Sequence, residues 1–297
     1  MATFTRQVYQ KAIETAIHPP QSKRQMPSGK NTPRSPPCPT HPQPRREGHL
    51  TNLGSWSTIG TSLGCERYVP EPNKPLTLKF QVVYRRLLEL YGEPMWRPHL
   101  DPIPELVSTI LSQNTNDKNR DVAFERLCER FPTWEQVRDA DPEAVVDAIQ
   151  PAGLANQKGP RLQGALRTIT QEQGELSLDF LEDLSVDEAR DWLKSMKGVG
   201  PKTAAIVLLF SLGRPAFPVD THVHRVSQRL GLIGARVSRE RAHEELEALV
   251  PQEAYYAFHL NLIRHGRQVC QARTPRCPEC VLRDLCDDYQ RRSPSES

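Results

Sequence analysis

The chain has 297 residues, 37% hydrophobic and 25% charged, the composition of a globular protein of one or two domains with ample core material. Its longest apolar run, Ala204 to Phe210, is far too short to cross a bilayer, and no apolar segment near the N-terminus reads as a secretory signal. Membrane and secreted classes are therefore excluded and an intracellular location is expected, while the formal net charge of +3 divides into +6 over residues 1–75 and −3 over the rest, so charge alone does not point to nucleic acid.

Residues 1–75 hold twelve of the 27 prolines and few large apolar residues, which predicts a disordered, basic, proline-rich tail. Its first stretch, Met1 to Ile17, has the pattern of a short basic amphipathic helix and faintly resembles an organelle transit peptide, although Glu14 speaks against one; a mis-assigned start codon accounts for the tail equally well. Order is expected from Leu76, where Phe80, Val83, Tyr84, Leu87, Leu88 and Tyr91 recur at helical spacing until Gly92 and Pro94. Helices are then predicted over Pro104 to Ser112, Asp117 to Phe131, Thr133 to Ala140, Pro142 to Ile149 and Gln157 to Gln173. Their starts are signalled locally, by Asp141 before Pro142 and by a capping box of Thr133 with Gln136. No segment alternates like a strand, so the fold class is all-α.

Ser185 and Glu188 form a second capping box, opening an amphipathic helix through Ala189, Trp192, Leu193 and Met196 that ends near Lys197. Gly198, Val199 and Gly200 make a tight turn, and Pro201 stands at the first position of a helix predicted to run to Leu212, apolar on every side and stopped by Gly213 and Pro215. Such a turn points backbone amides outward at the positive end of a helix, a place for a phosphate. Lys202 shares that end. A lysine there is ordinarily a solvated charge or a phosphate contact, yet desolvation and the dipole both favour the neutral amine, which is a nucleophile. Asp220 precedes the predicted helix Thr221 to Leu230, where it serves as an N-cap. Further helices follow from Ser238 to Leu249 and through Phe258, Leu262 and Ile263 to Gly266.

Cys270, Cys277, Cys280 and Cys286 then give the spacing C-x6-C-x2-C-x5-C. In an intracellular chain four thiols on short loops are a metal or cluster site, either tetrahedral zinc or iron–sulfur. A single C-x-x-C with longer gaps on either side suits the wider reach of a four-iron cluster better than a zinc ribbon. Arg267, Arg273 and Arg276 lie in or beside the loop between the first two cysteines and read either as solvated charges or as a phosphate-facing ridge.

GVGPKTA at 198 to 204, followed by PVDTHVHR around Asp220, resembles the helix-hairpin-helix DNA glycosylases, and the cysteine spacing is similar to that of their endonuclease III branch. LSQNTND at 111 to 117, GLANQKG at 153 to 159 and HGRQVC at 265 to 270 extend the resemblance over about residues 77 to 290. It implies that Lys202 is the nucleophile and Asp220 its assistant, that the four cysteines hold a [4Fe-4S] cluster, and that Gly198, Val199, Gly200, Arg267, Arg273 and Arg276 contact DNA. Asn114 and Leu154 are implied to fill the gap left by an extruded nucleotide, although an asparagine and a leucine in isolation more often cap a loop and fill a core. The implied architecture is two helical domains flanking a DNA-binding cleft, one of residues 98–214 carrying the hairpin and inserted between 76–97 and 215–297. The implied activity is that of a bifunctional glycosylase and abasic-site lyase acting as a monomer on double-stranded DNA with a damaged base, an oxidised pyrimidine, or an abasic site. The sequence departs from the branch at Asn114, where a longer glutamine is usual, at Ala155 for a tyrosine and at Lys197 for a proline. Lysine at 202 argues against the adenine- and mismatch-specific relatives, and the cysteine loop against the eight-oxoguanine branch. A non-catalytic DNA reader or an electron-transfer protein leaves Lys202 and Asp220, or the hairpin, without a role.

Overall fold

Turn chemistry places most of the helix starts in the computed structural model, which describes residues 74–292; the predicted tail and its first helix lie outside the described residues. In chain order the helices are α1 (Lys74–Tyr91), α2 (Pro102–Leu111), α3 (Asp117–Arg130), α4 (Trp134–Asp139), α5 (Pro142–Ala148), α6 (Ala155–Gln173), α7 (Val186–Ser195), α8 (Pro201–Ile206), α9 (Thr221–Leu230), α10 (Arg239–Leu249), α11 (Tyr255–Gln268) and α12 (Asp287–Arg292), and the described residues contain no strand. The all-α class expected from the sequence is the class observed. Ser185 and Glu188 form both halves of their capping box, and Asp141 accepts from the Glu143 amide. Thr133 forms only its own half, taking the Gln136 amide at 3.3 Å, so the second predicted box is a simple cap.

Two helices differ from expectation for local reasons. α6 starts two residues earlier, at Ala155, because Leu154 adopts a left-handed conformation (φ 52°, ψ 31°) and its carbonyl takes the amides of Gln157 and Lys158. The helix predicted from Pro201 to Leu212 is α-helical only to Ile206 and continues as a π-helical turn over Val207–Ser211. That turn explains why the segment is apolar on every side: Val207 and Leu208 belong to one hydrophobic core, Leu209 and Phe210 to another.

The first core gathers Leu106, Ile110 and Leu111 of α2 with Phe124, Leu127, Val145, Ile149, Leu162, Leu166, Ile169 and Leu193. The second joins Phe80, Val83 and Leu87 of α1 to Phe217, Val223, Val226, Leu230, Leu246, Phe258 and Leu262, with α9 and α1 both packed on α11. The described chain thus starts in the second core, builds the first, and returns. Each fully buried leucine or phenylalanine contributes roughly 1.5–3 kcal/mol relative to exposure, which makes these two cores the main support of the fold.

The return segment is held by histidines. His243 Nδ1–H donates to the Phe217 carbonyl at 2.8 Å and His259 Nδ1–H to the Pro218 carbonyl at 2.9 Å, two residues before Asp220. Burial is the main cause that pushes both imidazoles down to about 4. Because the unfolded chain protonates histidine near pH 6.5, stability is full above that value and is lost as pH falls toward 4, by on the order of 2–3 kcal/mol per histidine. Urea denaturation is expected to show lower stability at pH 5 than at pH 7, with a smaller difference in His259→Gln, whose amide can still reach the carbonyl. An unchanged pH dependence in that variant contradicts the assignment.

Candidate active site

The hairpin between α7 and α8 closes with the Val199 amide on the Met196 carbonyl at 3.0 Å. Gly198 has φ +94°, and a Cβ there would lie 2.7 Å from Arg161 Cδ, so only glycine fits. Val199 is 5% exposed and belongs to the first core, so it offers an outside ligand its backbone and not its side chain. Gly200 caps α8 without a side chain, and the Gly198 carbonyl is held by Gln113 Nε2 at 2.9 Å, tying the hairpin to the loop after α2.

Lys202, one residue into α8 behind Pro201, is half-buried. Desolvation is the leading cause that lowers its pKa; the Asp220 carboxylate opposes this, Arg120 adds to it, and Asp117 and Glu105 oppose it. Around the lysine lies a charged ring: Arg120 pairs with Asp121 at 2.7 Å and with Asp117 at 3.5 Å, and Asp117 receives Arg267 at 2.8 Å. Glu105, buried on α2, accepts from His99 Nδ1 at 2.9 Å. An amine in this setting has a larger neutral fraction at a given pH than a lysine in water.

Asp220 caps α9, as its sequence position predicts. One oxygen, Oδ1, takes both the His222 amide (2.8 Å) and the Val223 amide (2.7 Å), and Oδ2 takes no part in the cap. The structure therefore brings Lys202 and Asp220 into one electrostatic neighbourhood from two helix starts. His259, passed over in the sequence, feels both groups and fixes the backbone just before Asp220. Its signal was available: His259, Leu262 and His265 lie on one inward face of α11, and all three are buried.

Asn114 and Leu154 are the two non-glycine residues with positive φ among the described residues, both at 52°, and both are exposed, Leu154 at 49%. Leu154 is thus not a core leucine, and the cap of α3 is Asn116 rather than Asn114. Of the three arginines, Arg273 and Arg276 are exposed on the cysteine loop, with Glu279 3.9 Å from Arg276, whereas Arg267 is engaged with Asp117. The four cysteines all line one cavity, beside Val226, Leu230 and Val269 and the cations Arg229, Arg276 and Arg283. Arg229 Nη1 lies 3.3 Å from Cys270 Sγ, and burial pushes the Cys280 thiol up to about 11. Among the described residues no three His, Cys, Asp or Glu side chains are set to hold a single metal ion. Four soft thiol donors around one cavity, with Arg229, Arg276 and Arg283 beside them and Asp288 also in the wall, fit a thiolate-bound metal or iron–sulfur centre. No helix among the described residues is long and apolar enough to cross a membrane.

The described residues thus hold two helical cores, a glycine hairpin followed by a helix that carries a desolvated lysine, and an aspartate that caps a later helix and is felt by that lysine. Residues 107–252 match the HhH-GPD superfamily of base excision DNA repair proteins. Endonuclease III of Thermotoga maritima is 37% identical over 66% of this chain and 87% of its own length, and that of Sulfolobus acidocaldarius 36% over 62% and 81%. Among solved structures, a trapped endonuclease III–DNA covalent intermediate superposes with a TM-score of 0.62 at 28% identity, over 73% of this chain and 98% of the other. A thermostable thymine-DNA glycosylase, 21% identical, covers 74% of this chain and 100% of its own with a TM-score of 0.62, a likeness of fold. The chain belongs to the endonuclease III family of the HhH-GPD superfamily. It is accordingly a DNA glycosylase/lyase of base excision repair.

Proposed function

We propose that Lys202 and Asp220 carry out the chemistry on an oxidised pyrimidine in double-stranded DNA, with the chain acting as a monomer. The observation that supports this reading is a lysine desolvated just after the hairpin that also feels the Asp220 carboxylate. The neutral Lys202 amine forms a bond to the anomeric carbon as the glycosidic bond breaks, and the departing base takes up a proton. Asp220, with Oδ2 outside its helix cap, accepts the proton that the lysine nitrogen sheds and stabilises positive charge on the sugar. Ring opening gives an iminium between Lys202 and the sugar. Loss of a 2′ proton then expels the 3′ phosphate by β-elimination, and water releases the lysine.

Asn114 and Leu154 enter the gap left by the extruded nucleotide, which suits two exposed side chains held forward on strained backbone. The amides of Gly198 and Gly200 meet the phosphate backbone, joined by Arg273 and Arg276, while Val199, whose own amide closes the hairpin on the Met196 carbonyl, shapes that turn; Arg267 joins them by sharing its charge between Asp117 and a phosphate. Cys270, Cys277, Cys280 and Cys286 hold a [4Fe-4S] cluster, which supplies a rigid clamp for the arginine loop. The first and second cores form the two lobes of the DNA cleft.

Incubation with duplexes that each contain one defined lesion tests this reading. Cleavage is expected at oxidised pyrimidines and abasic sites, and a preference for 8-oxoguanine or mismatched thymine contradicts it. Asp220→Asn keeps a cap acceptor but removes the charge, so kcat is expected to fall by roughly a hundredfold or more with little change in DNA affinity. A variant that unfolds, or that loses binding and kcat together, assigns Asp220 a structural role only.

A further inference from the structure

Lys158 is 1% exposed, a charged side chain that the chemistry above leaves without a task. Its Nζ donates to the Leu111 carbonyl at 2.8 Å and to the Ala152 carbonyl at 2.8 Å. Leu111 is the last residue of α2, so its carbonyl is one of those a helix end leaves unpaired, and it opens the loop that carries Asn114. Ala152 closes the turn before Gly153 (φ +68°) and Leu154, and the Lys158 amide holds the Leu154 carbonyl at 3.0 Å. One residue therefore brackets the Leu154 kink from both sides and reaches across to the base of the Asn114 loop. Burying an ammonium is costly unless it is fully hydrogen-bonded, and an apolar residue of similar length would fill the same space without that cost. Burial pushes Lys158 down to about 8, a measure of how strongly the site disfavours the charge it holds. The two loops it joins carry both of the strained non-glycine residues among the described residues.

We propose that Lys158 is a positioning residue that locks the Asn114 and Leu154 loops into one rigid wedge, so that both side chains enter the DNA stack together. This rests on the reading of Asn114 and Leu154 as gap fillers. A wedge must hold its shape against the stacking of the bases it separates, and two loops that yielded independently would be pushed aside one at a time.

Lys158→Met removes both hydrogen bonds while keeping the length of the side chain; Lys158→Gln retains an amide donor without charge. Full-length protein is assayed in single turnover on a duplex with a paired lesion and on a single-stranded oligonucleotide with an abasic site, where no stack must be opened. A 2-aminopurine beside the lesion reports extrusion. Lys158→Met is expected to lose at least tenfold in rate and most of the 2-aminopurine signal on the duplex, while cleavage of the single strand changes less than twofold, and Lys158→Gln recovers part of the loss. A folded variant within twofold of wild type on the duplex overturns the proposal, as does an equal loss on both substrates. Should Lys158→Met fail to fold, the same comparison is made on Lys158→Gln, and failure of both to fold assigns Lys158 to the fold alone. The wild type tests the underlying reading separately: if Asn114→Ala and Leu154→Ala leave its 2-aminopurine signal unchanged, the gap-filling role fails whatever Lys158 does.

Discussion

Lys202→Ala is expected to abolish covalent trapping and to slow single-turnover cleavage by at least about a thousandfold, some 4 kcal/mol of transition-state stabilisation, while the protein stays folded. The alanine suits the second position of α8, and Pro201, the hairpin bonds and the first core are untouched, so loss of folding is not a route to this result. The wild-type rate should also rise with pH as the amine loses its proton and level off below the ordinary lysine range, because desolvation lowers the Lys202 pKa. A rate that keeps rising through the ordinary range contradicts the desolvated site.

The second large effect is expected at the cysteine loop. Cys277→Ala should remove one ligand, and with it the brown colour and about four irons per chain. Leu282 is fully buried in the second core, and Cys270, Cys280 and Cys286 pack against that core, so release of the loop uncovers apolar surface. Stability should fall by several kcal/mol, since the free energy of binding at such a site is free energy of folding. The helical signal of the first core should survive better than that of the second. Colourless wild-type protein carrying one zinc per chain contradicts the cluster, and a Cys277→Ala variant with unchanged melting contradicts its structural role.

What the sequence discloses here is what short-range chemistry determines. Ser185, Asp141 and Asp220 announce their helices because a cap needs only the amides two or three residues on, and all three are found capping. The four cysteines are legible because their spacing alone requires a shared site. The π-helical turn at Val207–Ser211 is not, because it answers to two cores, one completed at Ala216 and the other only at Leu282. Lys158, Gln113 and His259 escape for the same reason. Each is one polar side chain whose partner, the Leu111, Gly198 or Pro218 carbonyl, is a backbone group 41 to 85 residues away with no residue type to mark it. Arg267 shows the converse. Its sequence position reads as a free cation, and only the fold brings Asp117 beside it.

Locating the covalent bond itself settles which residue attacks the sugar. Wild-type protein is trapped with borohydride on a duplex containing one oxidised pyrimidine, digested, and the nucleotide adduct mapped by mass spectrometry. The adduct is expected on the peptide that contains Lys202, at that residue. Lys158, the other lysine whose pKa burial lowers, is expected to stay unmodified because it is enclosed by the Leu111 and Ala152 carbonyls. An adduct on Lys158 or on any residue other than Lys202, or cleavage that leaves no adduct at all, rules out Lys202 as the nucleophile.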